Sequence, residues 1–275
     1  MNNFTCKVLT AVLALTCLCQ AAQAEGEYAK IRESGILKVA VYKDFAPFSA
    51  GTQGIDIDIA EAVAKNLGLK LSLLPFPAGE EIGDDFRNMV WKGHYMGYGP
   101  ADVMLHVPVD PILMNANDKV AILAPYYREQ IRLVTDIRKI PNFEGVASLE
   151  GKKIGVDGTS ISSQLMLGAE NGKFREDVKI YASAKEALER LKAGELDGVL
   201  AARSEIESVL RKDPNFQVVE AQFPRLPPKG WVVGMAVKKD DAELAKVLQG
   251  ATDELIASGE MDKIFARNGV DRVVH

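Results

Sequence analysis

The sequence predicts an α/β protein with two lobes, in each of which helices flank a mainly parallel sheet. Three observations support this fold class. Short apolar runs of β type alternate with amphipathic helical runs, the alternation occurs in two successive series, and extended segments near residues 130–136 and 229–236 can join the series. Strands that alternate with helices are typical of parallel sheets, because parallel neighbours need a long crossover. Two joining segments predict that the chain crosses between the lobes twice.

The first series starts at residues 37–42, LKVAVY, which are apolar and β-branched as in a buried strand. In the run IDIDIAEAVAKNL, residues 55–67, apolar residues recur every four positions from Ile55 to Leu67, which predicts one face of a helix. Strand, helix and strand patterns then follow in LKLSLLPF, DFRNMVWKG and ADVMLHVPV, and a further extended run leads from Tyr126 into QIRLVTD.

The second series begins after Pro141 with a turn, a strand and a turn in SLEGKKIGVDGTS. The segment AKEALERLKAGE has the composition of a helix, and Gly194 predicts its end. The other elements of this series are a helical SSQLMLGAENG and the strands KIYAS and LDGVLAA. After the proline-rich FPRLPPKG, the sequence predicts a strand in WVVGMAVKK and then a long helical run that is interrupted at Gly259.

The first 24 residues have the pattern of a Sec signal peptide. Lys7 precedes an apolar run from Val8 to Leu18, and Ala22-Gln23-Ala24 supplies the small residues that a signal peptidase reads before Glu25. The apolar run is too short to span a bilayer comfortably. We therefore expect this segment to be cleaved and the mature protein to lie in the periplasm.

Cysteine content and charge exclude several classes of function. All three cysteines, Cys6, Cys17 and Cys19, lie in the predicted signal peptide, so the mature chain offers no thiolate nucleophile, thiolate metal site or disulfide. The formal charge is −5 without a cluster of Lys and Arg, which argues against nucleic acid as a partner. With 47% hydrophobic residues, the chain can form an ordinary core in each of two lobes.

The stretch GIDIDIAEAVAKNL, residues 54–67, resembles the signature of the family 3 extracellular solute-binding proteins, the amino-acid-type receptors of ABC importers. The segments GILKVAVYKDFAPFS, SLEGKKIGVDGTS, ALERLKAGELDGVL and WVVGMAVKKDDAEL are similar to further parts of that family, so the resemblance covers nearly the whole mature chain. It implies a type II periplasmic binding protein clamshell that closes on a small solute by a hinge motion. The implied lobes are residues 25–132 with 233–275, and residues 133–232.

Asp56 and Asp58 in this stretch could form a metal site, an acid/base pair, or the join between two structural elements. A carboxylate near a helix start interacts favourably with the unpaired amide donors and the helix dipole. We therefore expect a mainly structural role for both aspartates.

The resemblance also implies several ligand-binding side chains. Phe45 falls where the family commonly places an aromatic ring that stacks on the ligand, and Tyr126 belongs to a Pro-Tyr-Tyr segment in which one tyrosine can face the cleft. Thr159 and Ser160 lie between a strand and a helix, where their amides and hydroxyls can hold a ligand carboxylate. An ordinary helix cap would use the same residue types.

Two anchors that the family uses for amino acids are missing. The arginine that grips a carboxylate has no counterpart, because no arginine occurs between Asp102 and Arg128. The aspartate expected after LDGVL is replaced by Ala201-Ala202-Arg203, which makes Arg203 a candidate site residue. An ordinary free α-amino acid is therefore not the expected solute, since its two charges would be desolvated without partners.

His106 and Asp110 lie at the expected cleft edge, and the period of two in an extended segment predicts that they share one face. They could bind a polar solute, coordinate a cation, or form a solvated pair. Because two side chains are too few for a metal site, we predict neither a metal nor a cofactor.

These observations favour a periplasmic solute-binding protein that is not an enzyme, acts as a monomer and captures a small polar solute for an ABC permease. An alternative is a non-catalytic accessory protein of a periplasmic quinoprotein (methanol-type) dehydrogenase, since HYMGYGPADVMLHVPVD, residues 94–110, looks like that divergent branch. A third class is a cyclohexadienyl dehydratase-like enzyme, although no nucleophile with a partnered base is recognisable. The loop at 94–101 could be a lid, a docking loop or a connection.

Overall fold

Two five-stranded sheets form the framework of the protein in the computed structural model, which describes residues 26–224, 226–227 and 229–273. The predicted signal peptide and its cysteines lie outside these residues. In chain order the strands are β1 (Ile36–Tyr42), β2 (Lys70–Phe76), β3 (Val103–Pro108), β4 (Val120–Glu129), β5 (Ile131–Asp136), β6 (Ile154–Asp157), β7 (Val178–Tyr181), β8 (Gly198–Ala202), β9 (Phe216–Val219) and β10 (Trp231–Lys238). The helices are α1 (Glu27–Ser34), α2 (Ile55–Asn66), α3 (Ile82–Phe86), α4 (Pro111–Ala116), α5 (Ile161–Gly168), α6 (Ala184–Lys192), α7 (Arg203–Leu210), α8 (Ala242–Ala257) and α9 (Glu260–Arg267).

Each sheet is mainly parallel and contains one reversed strand. The first sheet has the order β2-β1-β3-β10-β4, in which β10 is antiparallel to both of its neighbours. The second has the order β7-β6-β8-β5-β9, in which β5 is antiparallel to both of its neighbours. The reversed strands β5 and β10 are the ones that follow the two crossings between the sheets. The predicted two-lobed α/β fold is thus confirmed.

Most of the predicted helices and strands are present, and three helices were not predicted. The helix predicted from Ile55 is α2, and the predicted interruption at Gly259 separates α8 from α9, with the glycine at φ 74°. The unpredicted helices are α1, α4 and α7. A turn of π-helix, Arg87–Trp91, extends α3 over the rest of the predicted DFRNMVWKG helix. Among the residues that the structure describes, no helix has the length and apolar character needed to cross a membrane.

Apolar side chains are buried on both faces of each sheet. In the first lobe, one cluster packs α1, α2, α8 and α9 against the sheet, and a second cluster packs Phe86, Met89 and Val90 against its other face. The second lobe has corresponding clusters beside α5 and beside α6 with α7. Each lobe therefore has its own core, which leaves the strand ends and their loops available for a site.

The chain passes from one sheet to the other at Gln130, between β4 and β5, and again between β9 and β10. Glu129 at the first crossing is buried and accepts hydrogen bonds from the Gln130 amide, at 2.9 Å, and from the Ser204 hydroxyl of α7. At the second crossing, Gly230 has φ +69°, and a β-carbon there would collide with the Glu129 carbonyl. The two crossings are thus packed against each other. The exact lobe boundaries given above stay a prediction.

Candidate functional site

The two aspartates of the 54–67 stretch point into different parts of the first lobe. The Asp58 carboxylate accepts hydrogen bonds at 2.8 Å from Arg267 Nε and from Asn268 Nδ2, and so ties α2 to the end of α9. Asp56 is fully buried, and its Oδ1 accepts a 2.7 Å hydrogen bond from the Tyr126 hydroxyl. Asp58 therefore has a structural contact, whereas Asp56 lies in a buried polar cluster.

A β-bulge aims the imidazole of His106 into this cluster. In the pairing of β3 with β10, Met104 lies opposite Ala236 and Val107 opposite Gly234, so two residues of β3 face one residue of β10. His106 is one of the two, and its φ of 59° is rare for a residue other than glycine. Bulges re-aim side chains in this way beside many functional sites.

The imidazole of His106 lies between two phenylalanine rings and above a carboxylate. Its ring centroid is 4.7 Å from that of Phe45 and 4.1 Å from that of Phe48, both in edge contacts. Its Nδ1 lies 3.3 Å from Asp56 Oδ2, and its backbone N–H donates to the Tyr126 hydroxyl at 3.0 Å. We call these five residues the imidazole cluster.

Within the imidazole cluster, Tyr126 links the His106 backbone to the Asp56 carboxylate. Its side chain is completely buried, and its hydroxyl donates to Asp56 while it accepts from the His106 amide. Burial raises the pKa of Tyr126 well above its ordinary value, and the neighbouring Asp56 charge raises it further, so the phenol stays protonated as a donor. Its contact with a ligand stays a prediction, because the fully buried side chain does not reach the surface in this conformation.

His106 and Asp110 do not share one face, which corrects the prediction from the period of two. His106 is 8% exposed in the imidazole cluster, whereas Asp110 is exposed and caps α4 by accepting the Leu113 amide at 2.9 Å. The bulge at His106 shifts the strand alternation, and the chain then turns into a helix. Their use as ligand-binding residues stays a prediction for each one separately.

Thr159 and Ser160 lie between β6 and α5, as expected, and their donors are taken by Asp157. The Thr159 amide and hydroxyl both donate to Asp157 Oδ1, at 2.8 and 2.9 Å, and the Ser160 hydroxyl donates to the Asp157 carbonyl at 2.8 Å. A carboxylate is thus fixed at the end of β6. A ligand anion at this helix start would meet the Asp157 charge, so the predicted carboxylate-binding role of Thr159 and Ser160 would require these contacts to be exchanged.

Arg203 begins α7 and is paired with a residue of its own helix. Its Nε lies 2.6 Å from Glu207 Oε1, and its backbone N–H donates to the Gln130 carbonyl at 2.8 Å, so it lies beside the crossing. The sequence prediction missed Glu205 nearby, whose carboxylate accepts the Ala202 amide at 3.0 Å. A glutamate at this position can reach back to the cap amide, but Ala202 lacks the side-chain oxygen that completes the capping-box pattern, so the sequence carries only half of that signal.

Glu205 places a second acidic group at this edge of the second lobe. Burial raises the pKa of Glu205 to about 7, and the nearby charges of Glu129 and Asp157 contribute to the rise, against the hydrogen bond from Ala202. The ends of β6 and β8 therefore carry carboxylates. Within the described ranges, no three His, Cys, Asp or Glu side chains are grouped so that they could hold a metal ion.

Comparison with known proteins gives relatives over most of the chain, although no family model matches it. A Neisseria gonorrhoeae protein with the name "Probable histidine-binding protein" is 24% identical over 241 residues, which are 84% of this chain and 82% of the relative. The solved structure called "Ancestral Cationic Amino Acid Solute Binding Protein (AncCDT-1)" has a TM-score of 0.68 at 21% identity and covers 88% of this chain and 98% of its own. The cyclohexadienyl dehydratase of Pseudomonas aeruginosa is 40% identical over 74 residues, only 23% of this chain and 28% of the enzyme. The structural similarity shows the two-lobed fold of the periplasmic binding proteins.

Proposed function

We propose that this homologue of the amino-acid-type solute-binding proteins of ABC importers is a periplasmic receptor, which captures a small polar solute between its lobes and delivers it to an ABC permease. One observation carries the proposal. Candidate side chains of both lobes, Phe45 and His106 in one and Thr159 in the other, lie at or near the carboxyl ends of parallel strands. Ligands of open α/β sheets bind outside these strand ends.

The arrangement suits capture by closure of the lobes. A solute favours the closed state only if it makes better contacts there, which requires groups from both lobes. Phe45 is half-buried and offers an aromatic surface in the first lobe, and the Asp157–Thr159 turn offers polar atoms in the second. The two crossings at Gln130 and Gly230 are the segments about which the lobes would rotate. No catalytic step is needed for this function.

We propose a solute other than an ordinary free amino acid. The Neisseria relative is named for histidine, but this chain has no arginine between Asp102 and Arg128 and has Ala201-Ala202-Arg203 where the resemblance places an acidic anchor. A buried ion without its partner typically costs about 3 to 5 kcal/mol, which corresponds to more than a hundredfold in affinity. Such a loss is large enough to exclude tight binding of a zwitterion through those anchors.

The test is identification of the solute that co-purifies with the mature protein from the periplasm. Native mass spectrometry should detect a bound small molecule, and small-angle scattering should show a smaller radius of gyration when the purified solute is added back. Phe45→Ala and Thr159→Ala should weaken binding, whereas Ser34→Ala on α1 should not. A protein that purifies without a solute, does not close with any added solute and retains a periplasmic quinoprotein dehydrogenase in pull-downs would refute the receptor function and support the accessory alternative.

A catalytic function is the second candidate, because of the 40% identity to the Pseudomonas dehydratase over 74 residues. That match covers only 23% of this chain, whereas the relative named for histidine covers 84%, so the receptor function has the broader support. Dehydration of a cyclohexadienyl substrate produces an aromatic ring, so turnover would appear as a new ultraviolet absorbance. We expect no turnover by the purified protein, and a rate that falls on substitution of Glu205 would establish an enzyme.

A further inference from the structure

The imidazole cluster contains two buried polar atoms that face each other without an aligned hydrogen bond. Asp56 Oδ2 and His106 Nδ1 are both enclosed, lie 3.3 Å apart, and have no hydrogen-bond partner within the described residues. Unsatisfied polar atoms cost free energy when they are buried, so their retention calls for an explanation. The bulge and the positive φ of His106 add local strain to that cost.

We infer that Asp56 positions His106 so that its outer nitrogen, Nε2, accepts a hydrogen bond from the solute, and that this solute is an organic cation. This inference rests on the receptor function proposed above and adds the chemical class of the solute.

If the His106 ring is a neutral imidazole, its neighbours favour one nitrogen for the proton. The Tyr126 hydroxyl already donates to Asp56 Oδ1, and Oδ2 is left facing His106 Nδ1. A carboxylate can only accept, so the proton of a neutral imidazole belongs on Nδ1, and Nε2 keeps its lone pair. Nε2 is not among the enclosed atoms and has no partner in the described part of the chain. It is the atom of this ring that a solute can reach.

The surroundings favour a positively charged donor at Nε2. Phe45 is half-buried against the same imidazole, and an aromatic face attracts ammonium and guanidinium groups. At the strand ends of the other lobe, the Asp157 carboxylate is held by two hydrogen bonds from Thr159, and Arg203 is engaged by Glu207. The acceptors present in the two lobes therefore suit a cationic donor better than a solute carboxylate.

The first test reads the imidazole directly, without a solute. Long-range proton–nitrogen NMR on protein labelled with 15N-histidine distinguishes the two neutral forms of the ring. His106 should carry its proton on Nδ1. His94 should show the opposite form, because its Nδ1 accepts the Met96 amide at 3.2 Å. Asp56→Asn should reduce the Nδ1-protonated form of His106, and the matched control Asp58→Asn should leave it unchanged. A His106 ring with its proton on Nε2, or with protons on both nitrogens, would overturn the inference.

The second test uses pairs of probes that differ in a carboxylate. Agmatine and 1,4-diaminobutane are titrated into the protein by calorimetry, and their binding is compared with that of L-arginine and L-ornithine. At least one cation should bind, and it should bind at least tenfold more tightly than its carboxylate-bearing counterpart. Asp56→Asn should lower the affinity for that cation about tenfold or more, as expected for one hydrogen bond to a charged group. Asp58→Asn should lower this affinity less than about twofold.

Substitution of His106 covers the case in which Asp56→Asn fails to fold. His106→Gln keeps an acceptor oxygen near the Nε2 position, whereas His106→Leu removes it. Both variants place a non-glycine residue at the φ of 59°, so a difference between them reports the acceptor and not the backbone strain. The Gln variant should keep more cation affinity than the Leu variant. If neither cation binds, the inference is wrong. If an anionic solute also co-purifies, the receptor function is supported although the inference of a cationic solute is wrong. A protein that binds no solute at all refutes the receptor function itself.

Discussion

Neutralising Glu205 should stabilise the protein at neutral pH and leave its stability at acid pH almost unchanged. The Glu205 carboxyl is largely buried, and burial raises its pKa from an ordinary 4.5 to about 7, assisted by the charges of Glu129 and Asp157. Between these two pH values the folded protein holds a proton at Glu205 that the unfolded chain has released. Rising pH therefore favours unfolding across this window, and the cost is complete above the folded pKa.

The size of the effect follows from the shift in pKa. A rise from 4.5 to about 7 corresponds to about 3 kcal/mol at full value, because each pKa unit is about 1.4 kcal/mol. Partial solvent access to the side chain reduces this to about 1 to 3 kcal/mol. Glu205→Gln removes the charge and keeps an acceptor oxygen for the Ala202 amide. The variant should thus be more stable than the parent by about 1 to 3 kcal/mol at pH 8 and equal to it at pH 4.

Urea unfolding at several pH values measures this difference, with tryptophan fluorescence and circular dichroism recorded together so that coincident transitions confirm two-state behaviour. The matched control is Glu189→Gln, which removes a glutamate charge from the surface of α6, where the side chain is 52% exposed. The control should show no pH-dependent gain. A gain for Glu205→Gln that is the same at pH 4 and pH 8, or a loss at pH 8, would refute the reasoning.

Four other outcomes test separate parts of the structure. Asp58→Ala removes the acceptor that ties α2 to Arg267 and should lower the unfolding free energy by about 1 kcal/mol in urea denaturation, and no loss would mean that the tie contributes nothing. Gly230→Ala forces a β-carbon towards the Glu129 carbonyl and should cost about 1 to 3 kcal/mol by the same measurement. Calorimetric titration with L-histidine should give little heat, and a submicromolar constant would show that the missing anchors are replaced elsewhere. N-terminal sequencing of the exported protein should start at Glu25, and a lipid-modified cysteine at the N-terminus would contradict this.

The fold could be predicted because local patterns carry it. The apolar residues that recur every four positions in α2 are its buried face, and the apolar run of β1 is a buried strand. Helix α4 has no buried residue, so its sequence contains no apolar pattern from which the helix could be predicted. A local signal was nevertheless present, since Asp110 caps the helix and Pro111 follows at its first position.

The site could be predicted only in part, because its geometry depends on pairing between distant segments. The bulge at His106 exists through the register of β3 with β10, which the sequence around His106 does not contain. The complete burial of Tyr126 likewise depends on the packing of α2 and its Asp56 carboxylate. Thr159 was placed correctly on the β6–α5 turn, but its engagement by Asp157 is a contact that the residue types alone leave open. Sequence thus predicts which residues approach the strand ends, and tertiary structure decides which atoms remain available.

Besides the two chain crossings, the segment after α9 makes a further contact between the lobes. The segment after α9 runs beside β4, where the Val273 carbonyl accepts the Arg128 amide at 2.7 Å, and it also reaches α7 of the other lobe. There the Asp271 amide donates to Glu207 Oε2 at 2.8 Å, while the other Glu207 oxygen holds Arg203. A net hydrogen bond of this kind is worth about 1 kcal/mol, and two conformations of a protein typically differ by only a few kcal/mol. If the lobes rotate as the proposed receptor function requires, this contact must either move with them or break, and the segment after α9 would then affect the balance between the two states.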